Sequence, residues 1–214
     1  IAGPCSAESE KQILGTANQL KSIKNLIFRA GIWKPRTRPN SFEGIGSKGL
    51  KWIQKAKKET GLKSTVEVAK PHHVELALKH DIDILWIGAR TTGNPFAIQD
   101  ISNSLRGTNV PVMIKNPINP ELNLWIGAIE RLKAAGVNNI AAIHRGFFTY
   151  ENSKYRNIPN WQLVIDLQRI FPNIPIICDP SHISGNRSQI LDISQKAMDM
   201  NYFGLMIETH IDPK

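Results

Sequence analysis

The chain has only two cysteines, Cys5 and Cys178, in 214 residues, too few for the disulfide framework that staples small secreted domains. One bridge between them is conceivable. In a reducing compartment each would instead be a core residue, a nucleophile or a metal ligand. No apolar run approaches the ~20 residues that cross a bilayer. The opening Ile1-Ala2-Gly3-Pro4-Cys5 has no basic leader, so the expectation is a cytoplasmic protein with no membrane role. No G-x-G-x-x-G turn occurs, which disfavours a doubly wound dinucleotide-binding sheet. Zinc-finger spacing, an RNA-recognition aromatic signature and a basic leucine repeat are missing too. With no short-period repeat, low-complexity stretch or linker, residues 1–214 read as one domain.

Acidic residues are scarce, with 18 Asp and Glu against 27 Lys and Arg, a formal net charge of +9. Such an excess suits nucleic acid, an anionic membrane or an anionic small molecule. Lys48, Lys51, Lys55 and Lys58 fall on one helical face and read as a solvated stripe. No nucleic-acid partner is expected, and the informative cations lie elsewhere.

What the chain does have is repeated alternation of apolar, β-rich runs with longer amphipathic segments. Strand candidates cover residues 1–5, 26–33, 64–68, 84–88, 112–115, 140–144, 174–178 and 204–209. Helical periodicity covers 9–23, 46–59, 124–135, 161–171 and 188–200. Near-continuous apolar strands separated by helices imply parallel strands covered on both faces. Eight of them imply an α/β protein of the (β/α)8 barrel class, short against the ~250 residues usual for that fold. The first strand begins at residue 1 and nothing follows the eighth, so the expectation is a barrel clipped at its N-terminus and lacking its last helix.

The polar residues gather at strand C-terminal ends, where barrel enzymes keep their active sites. Arg29 with Lys34 sits at the end of the second strand, with Arg36 just beyond; Arg90 follows the fourth, Lys115 ends the fifth and Arg145 follows the sixth. So many cations in one concavity suit several phosphate or carboxylate groups. The competing reading pairs each with an Asp or Glu, but these segments offer chiefly Glu67, Asp179 and Glu208. Cys5, His182 and Glu208 supply a thiolate, an imidazole and a carboxylate, a set suited to a borderline divalent metal. Cys178, inside an apolar run, reads as core.

The stretches Gly3-Pro4-Cys5-Ser6, Lys34-Pro35-Arg36-Thr37, Ile87-Gly88-Ala89-Arg90-Thr91-Thr92, Ile114-Lys115-Asn116, His144-Arg145-Gly146, Asp179-Pro180-Ser181-His182 and Met206-Ile207-Glu208-Thr209-His210 together resemble the 3-deoxy-D-arabino-heptulosonate 7-phosphate (DAHP) synthases. The resemblance spans essentially the whole chain and is greatest to the branch that can be fused to chorismate mutase. It implies the first step of the shikimate pathway to chorismate and the aromatic amino acids. Phosphoenolpyruvate would condense with erythrose 4-phosphate and water, releasing phosphate. It implies a divalent metal (Mn, Fe, Co or Zn) on Cys5, His182 and Glu208, with a fourth ligand, an aspartate, beyond Lys214. It assigns Arg90, Lys115 and Arg145 to phosphoenolpyruvate, with Arg29 and Lys34 near its carboxylate and reacting carbons. Arg36 and Thr37 fall to the sugar phosphate. Lys34, crowded by arginines, is the candidate proton donor. A homo-oligomer and an associated chorismate mutase domain are expected partners. Two alternatives stand beside this reading. One is the related 3-deoxy-D-manno-octulosonate 8-phosphate synthase, disfavoured by Lys34-Pro35-Arg36-Thr37, and the other a non-catalytic barrel that binds a phosphorylated metabolite.

Overall fold

A computed structural model describes residues 1–36, 38–150 and 152–213. Strands and helices alternate in the order β1 (Ala2–Gly3), α1 (Glu10–Leu20), β2 (Ile27–Arg29), α2 (Lys48–Thr60), β3 (Lys63–Val68), α3 (Pro71–Lys79), β4 (Ile84–Ile87), α4 (Ala89–Thr92), α5 (Pro95–Ser104), β5 (Val112–Lys115), α6 (Leu122–Ala134), β6 (Ile140–His144), α7 (Trp161–Ile170), β7 (Ile176–Cys178), α8 (Pro180–Ser184), α9 (Ile190–Asp199), β8 (Gly204–Leu205) and β9 (Ile207–Glu208). The strand order is β8-β7-β6-β5-β4-β3-β2-β1-β9. β8 and β9 are halves of one eighth strand interrupted at Met206, one half pairing β7 and the other β1. This is the strand order of a (β/α)8 barrel. No described helix is long and apolar enough to cross a membrane.

The chain divides into two compact units, Ile1–Trp86 with Glu208–Lys214, and Ile87–Ile207. In the first, β1 pairs β2 in parallel (Ala2 with Phe28) and β2 pairs β3 from Ile27–Lys63 to Arg29–Thr65. Ser9 caps α1 by accepting from the Gln12 amide at 3.2 Å, satisfying one orphan donor of the first turn. Ile13, Thr16 and Ala17 are buried on α1, and Leu50, Ile53 and Ala56 on α2, the i, i+3, i+4 spacing of a core face. The opposite face of α2 carries Lys48, Lys51, Lys55 and Lys58, all exposed.

In the second unit β5, β6, β7 and β8 pair in parallel, with Lys115 beside Ile143, His144 beside Cys178 and Ile177 beside Gly204. Trp125 on α6 is fully buried, and its indole N–H donates to the Ile114 carbonyl at 3.3 Å. Cys178 is core as expected, with its thiol pushed up chiefly by burial. Neither cysteine is in a disulfide.

β1, β2 and β7 are shorter than their apolar runs predict, for identifiable reasons. Pro4 and Pro175 have no N–H to give a ladder, so β1 stops at Gly3 and β7 starts at Ile176. The run 26–33 leaves the sheet after Arg29 and bonds its own following loop, where Lys34 N donates to Glu43 O at 2.7 Å and Gly46 N to Ile32 O at 2.9 Å. Helices α3, α5 and α8 open with proline, which tolerates the first helical turn because its missing N–H has no intrahelical partner there.

His144, at the end of β6, points inward and not into solvent. It is fully buried against Trp161, with ring centroids 5.0 Å apart. Nε2 faces the Pro159 carbonyl, which can only accept, so Nε2 carries the proton. Nδ1 then accepts from the Tyr202 hydroxyl at 3.0 Å. Burial is the main cause that lowers this histidine to about 4.

Two predictions follow from these contacts. Gly3 has φ +147°, and a Cβ there would sit 2.0 Å from the Arg29 carbonyl oxygen, so Gly3→Ala must displace β1 from β2. Gly127 lies inside α6, and a Cβ there meets nothing within 4 Å. Urea denaturation is expected to show Gly3→Ala destabilising by more than about 2 kcal/mol and Gly127→Ala stabilising by about 0.5–1 kcal/mol. The second concerns pH. Between about 4 and the ordinary value near 6.5, the unfolded state binds the His144 proton and the folded state does not. Stability therefore falls as pH drops through that window, by up to ~3 kcal/mol, and flattens below it. Denaturation midpoints across pH 4–7 should show this slope, and His144→Gln should reduce it.

Candidate active-site residues

In the first unit the chemistry converges on Cys5. Lys34 Nζ donates to the Cys5 carbonyl at 2.8 Å and approaches its Sγ at 3.2 Å. Arg29, last residue of β2, is 1% exposed and sends Nη2 to the same carbonyl at 3.3 Å. Its Nη1 lies 3.6 Å from Glu208 Oε1, and its guanidinium carbon stands 5.3 Å from the Trp86 ring centroid. Arg29 Nε and Nη1 have no hydrogen-bond partner among the described residues. Buried N–H groups left this way cost free energy that a bound anion would offset. The arrangement also directs an ammonium at the Cys5 sulfur, which suits a thiolate. Arg36 is exposed and held by its own loop, Nε donating to Phe42 O at 2.9 Å. Thr37 lies outside the described residues.

One feature of this unit had no sequence signal. Trp33, next to Lys34, stacks on His73 of α3 with centroids 4.0 Å apart and planes 4° from parallel. His73 Nδ1 accepts from Ala69 N at 3.3 Å. Burial first, then the charges of Lys70 and His72, lower this imidazole to about 4, so it stays neutral against the indole.

In the second unit the organising group is Asp179, which follows β7 and is fully buried. One carboxylate oxygen takes Lys115 Nζ at 2.8 Å. His182 Nδ1 lies 2.8 and 3.0 Å from the two oxygens. The His182 amide donates to Oδ1 at 3.1 Å, making Asp179 the N-cap of α8. Burial alone would raise this carboxyl; the charges of His182 and Lys115, with their hydrogen bonds, outweigh it and hold it well below the usual range. A carboxylate on Nδ1 fixes the tautomer and orients Nε2 as a potential metal ligand.

Arg145 follows β6 and is treated differently. Its amide donates to Asn116 Oδ1 at 2.7 Å. Its Nη1 donates to Asn157 Oδ1 at 2.8 Å and to Gly146 O at 3.2 Å. These acceptors are neutral. Desolvation is the main cause lowering Arg145 to about 10, still well above neutral pH, so a partly buried positive charge persists there. Gly146 is required by contact as well as conformation. Its φ is +76°, and a Cβ would lie 2.6 Å from Asn157 O. Arg90 is exposed, one residue into α4.

The reading in which every cation has a carboxylate thus holds for Lys115 and Arg29, whereas the Arg145 guanidinium donates to amide and backbone oxygens. Asn116 was legible only as part of a motif, and Asn157 gave no signal at all, since a lone asparagine in a loop is ordinary turn chemistry.

Comparison with known proteins adds an independent line. The chain is 30% identical over 214 residues to phospho-2-dehydro-3-deoxyheptonate aldolase of Thermotoga maritima, covering all of this chain and 61% of that protein. It therefore spans about three fifths of that relative's length. It is 29% identical over 242 residues to 2-dehydro-3-deoxyphosphooctonate aldolase of Helicobacter acinonychis, covering 85% of that protein. The crystal structure of the Thermotoga maritima DAHP synthase superimposes with a TM-score of 0.84 at 28% identity, over 98% of this chain and 59% of that one. A truncated form of the enzyme from that organism gives 0.81 at 27% identity, over 98% and 74%. The model of the DAHP synthetase I family matches residues 1–214. Its extent covers every strand-end residue described above, and the chain belongs to the DAHP synthetase I family.

Proposed function

We propose that residues 1–214 form one catalytic barrel domain that condenses phosphoenolpyruvate with erythrose 4-phosphate and water, giving DAHP and inorganic phosphate. The observation that carries this reading is Asp179, one buried carboxylate that orients both a phosphoenolpyruvate-binding cation, Lys115, and a metal-ligand histidine, His182. Strand C-terminal ends share one face in a (β/α)8 barrel, and all the proposed residues occupy such ends or the loops after them.

Cys5, His182 and Glu208 would hold the metal. Each presents one suitable donor atom, a thiol sulfur, an imidazole nitrogen or a carboxylate oxygen, and the mixture fits Mn, Fe, Co or Zn. When bound, such an ion supplies Lewis acidity toward the aldehyde oxygen of the sugar. The chain's own residues do the rest. Arg90, Lys115 and Arg145 bind the anionic groups of phosphoenolpyruvate, and Arg29 takes its carboxylate. Arg36 and Thr37 hold the sugar phosphate. Lys34 donates a proton to the aldehyde oxygen as the C2–C3 π electrons of phosphoenolpyruvate form the new carbon–carbon bond. Water adds at C2 with loss of a proton. In the resulting hemiketal phosphate the bond from C2 to the phosphate oxygen breaks as the C2 hydroxyl gives up its proton and becomes the ketone, releasing inorganic phosphate. The partly buried Arg145 charge stabilises the departing anion.

A second reading has arabinose 5-phosphate as the acceptor. It is favoured by the relatives named 2-dehydro-3-deoxyphosphooctonate aldolase, among them the Helicobacter acinonychis protein. The stretch Lys34-Pro35-Arg36-Thr37 favours the four-carbon sugar.

Phosphate release from phosphoenolpyruvate is the measurement that checks the proposal. Release should require erythrose 4-phosphate, stop on chelation and return with Mn²⁺. Release with arabinose 5-phosphate alone would transfer the assignment to the second reading. Silence with both sugars from metal-loaded protein would sink both. Cys5→Ala should lower bound metal together with turnover. Lys34→Met should lower kcat by roughly 10²-fold, the smaller end of general-acid contributions; near-normal turnover would remove Lys34 from the proton transfer.

A further inference from the structure

Asn157 lies in the loop between β6 and α7 and is 5% exposed. Both ends of its amide are used. Oδ1 accepts from Arg145 Nη1 at 2.8 Å, and Nδ2 donates to the His182 carbonyl at 2.6 Å. Its backbone amide donates to Ile183 O at 3.1 Å, and that of Arg156 to Ser184 O at 3.3 Å. Three successive carbonyls at the end of α8 are thereby taken up by two residues of another loop. A five-residue helix such as α8 has last carbonyls without intrahelical partners, so its end is oriented by whatever takes them. Gly146, where a side chain would collide with Asn157, admits this loop at close range.

The residue type is informative. The Arg145 guanidinium needs an acceptor to stay oriented, but a carboxylate there would neutralise the charge an anionic substrate requires. An amide oxygen orients without neutralising. Asp179, whose charge also reaches Arg145, is already bonded to Lys115 and His182. At its other end the amide must donate, because the His182 carbonyl can only accept. Asparagine meets both demands in one side chain; aspartate, alanine and leucine do not.

We infer that Asn157 is a positioning residue that sets both the phosphoenolpyruvate-binding guanidinium of Arg145 and the metal-binding histidine His182. The inference rests on the roles proposed above for those two residues. It makes anion affinity and metal affinity depend on one amide. A residue that only capped α8 would affect stability and would have no reason to act on anion binding.

The test uses metal-free protein and two binding measurements. Phosphoenolpyruvate affinity is read by calorimetry, and Co²⁺ affinity by the thiolate-to-cobalt absorption band, with circular dichroism as the check on folding. Asn157→Ala is expected to weaken Co²⁺ by about tenfold, the usual loss for a partner behind a metal ligand, and to weaken phosphoenolpyruvate as well. Asn157→Asp keeps an acceptor for Arg145 but adds a charge beside it, and is expected to weaken phosphoenolpyruvate by about tenfold. Arg145→Ala should weaken phosphoenolpyruvate alone, leaving Co²⁺ within about twofold. Folded Asn157 variants with both affinities within about twofold of the parent would overturn the inference while the proposed function stood. A parent that bound neither ligand would remove the proposed function, and this inference with it. Should Asn157→Ala not fold, Asn157→Asp decides by the same criteria.

Discussion

A buried carboxylate with three jobs, Asp179, is the constraint on which the second unit depends. It has no contact with solvent, and an isolated ion in that position would be neutralised or expelled. It stays ionised because Lys115 and His182 surround it, and the same bonds hold those two residues in place. Removing one partner of such a buried pair typically costs about 3–5 kcal/mol, because the other charge is left uncompensated. The carboxylate also caps α8 through the His182 amide. Position, protonation and local backbone are thus set together.

The first unit solves a similar problem with a carbonyl. The Cys5 oxygen accepts from both Lys34 and Arg29, drawing two cations from the β2 end and the following loop onto the second residue after β1. The loop is turned back by its own backbone bonds, Lys34 to Glu43 and Gly46 to Ile32. That turn is why the apolar run 26–33 is only partly strand, and why Lys34 reaches the Cys5 sulfur at all. The early end of β2 and the placement of Lys34 are one event.

Much of the fold was legible in the residues. β5 and β6 lie where their apolar runs predict, because three or four consecutive Val, Ile, Met and Ala residues fit a strand buried on both faces. The core faces of α1 and α2 follow from apolar spacing. Strand ends were less legible wherever proline or a loop hydrogen bond competed with the ladder, as at Pro4, Pro175 and Lys34. In the site, charged and metal-competent residues stood out by type and by place after strands. Their partners did not. Arg145 and Lys115 look alike in sequence, yet one is neutralised by a carboxylate and the other is held by amides. His144 stood beside Arg145 at a strand end and turned out to be a neutral, buried hydrogen-bonding residue. Which face a histidine presents depends on the pleat and on neighbours distant in sequence.

The sequence by itself determined the alternation of elements, the barrel class and the inventory of groups able to bind anions and a divalent cation. Those properties follow from local periodicity and side-chain chemistry, which one chain carries in full. Only the tertiary structure decided which cation is offset by a carboxylate, which nitrogen of His182 faces a carboxylate, and that Asn157 spans Arg145 and the His182 carbonyl. The Lys115–Asp179, Arg145–Asn157 and Asn157–His182 contacts depend on distances of about 3 Å between residues 64, 12 and 25 positions apart. Hydrogen bonds and buried charges respond to those distances steeply, and nothing in the local sequence records them.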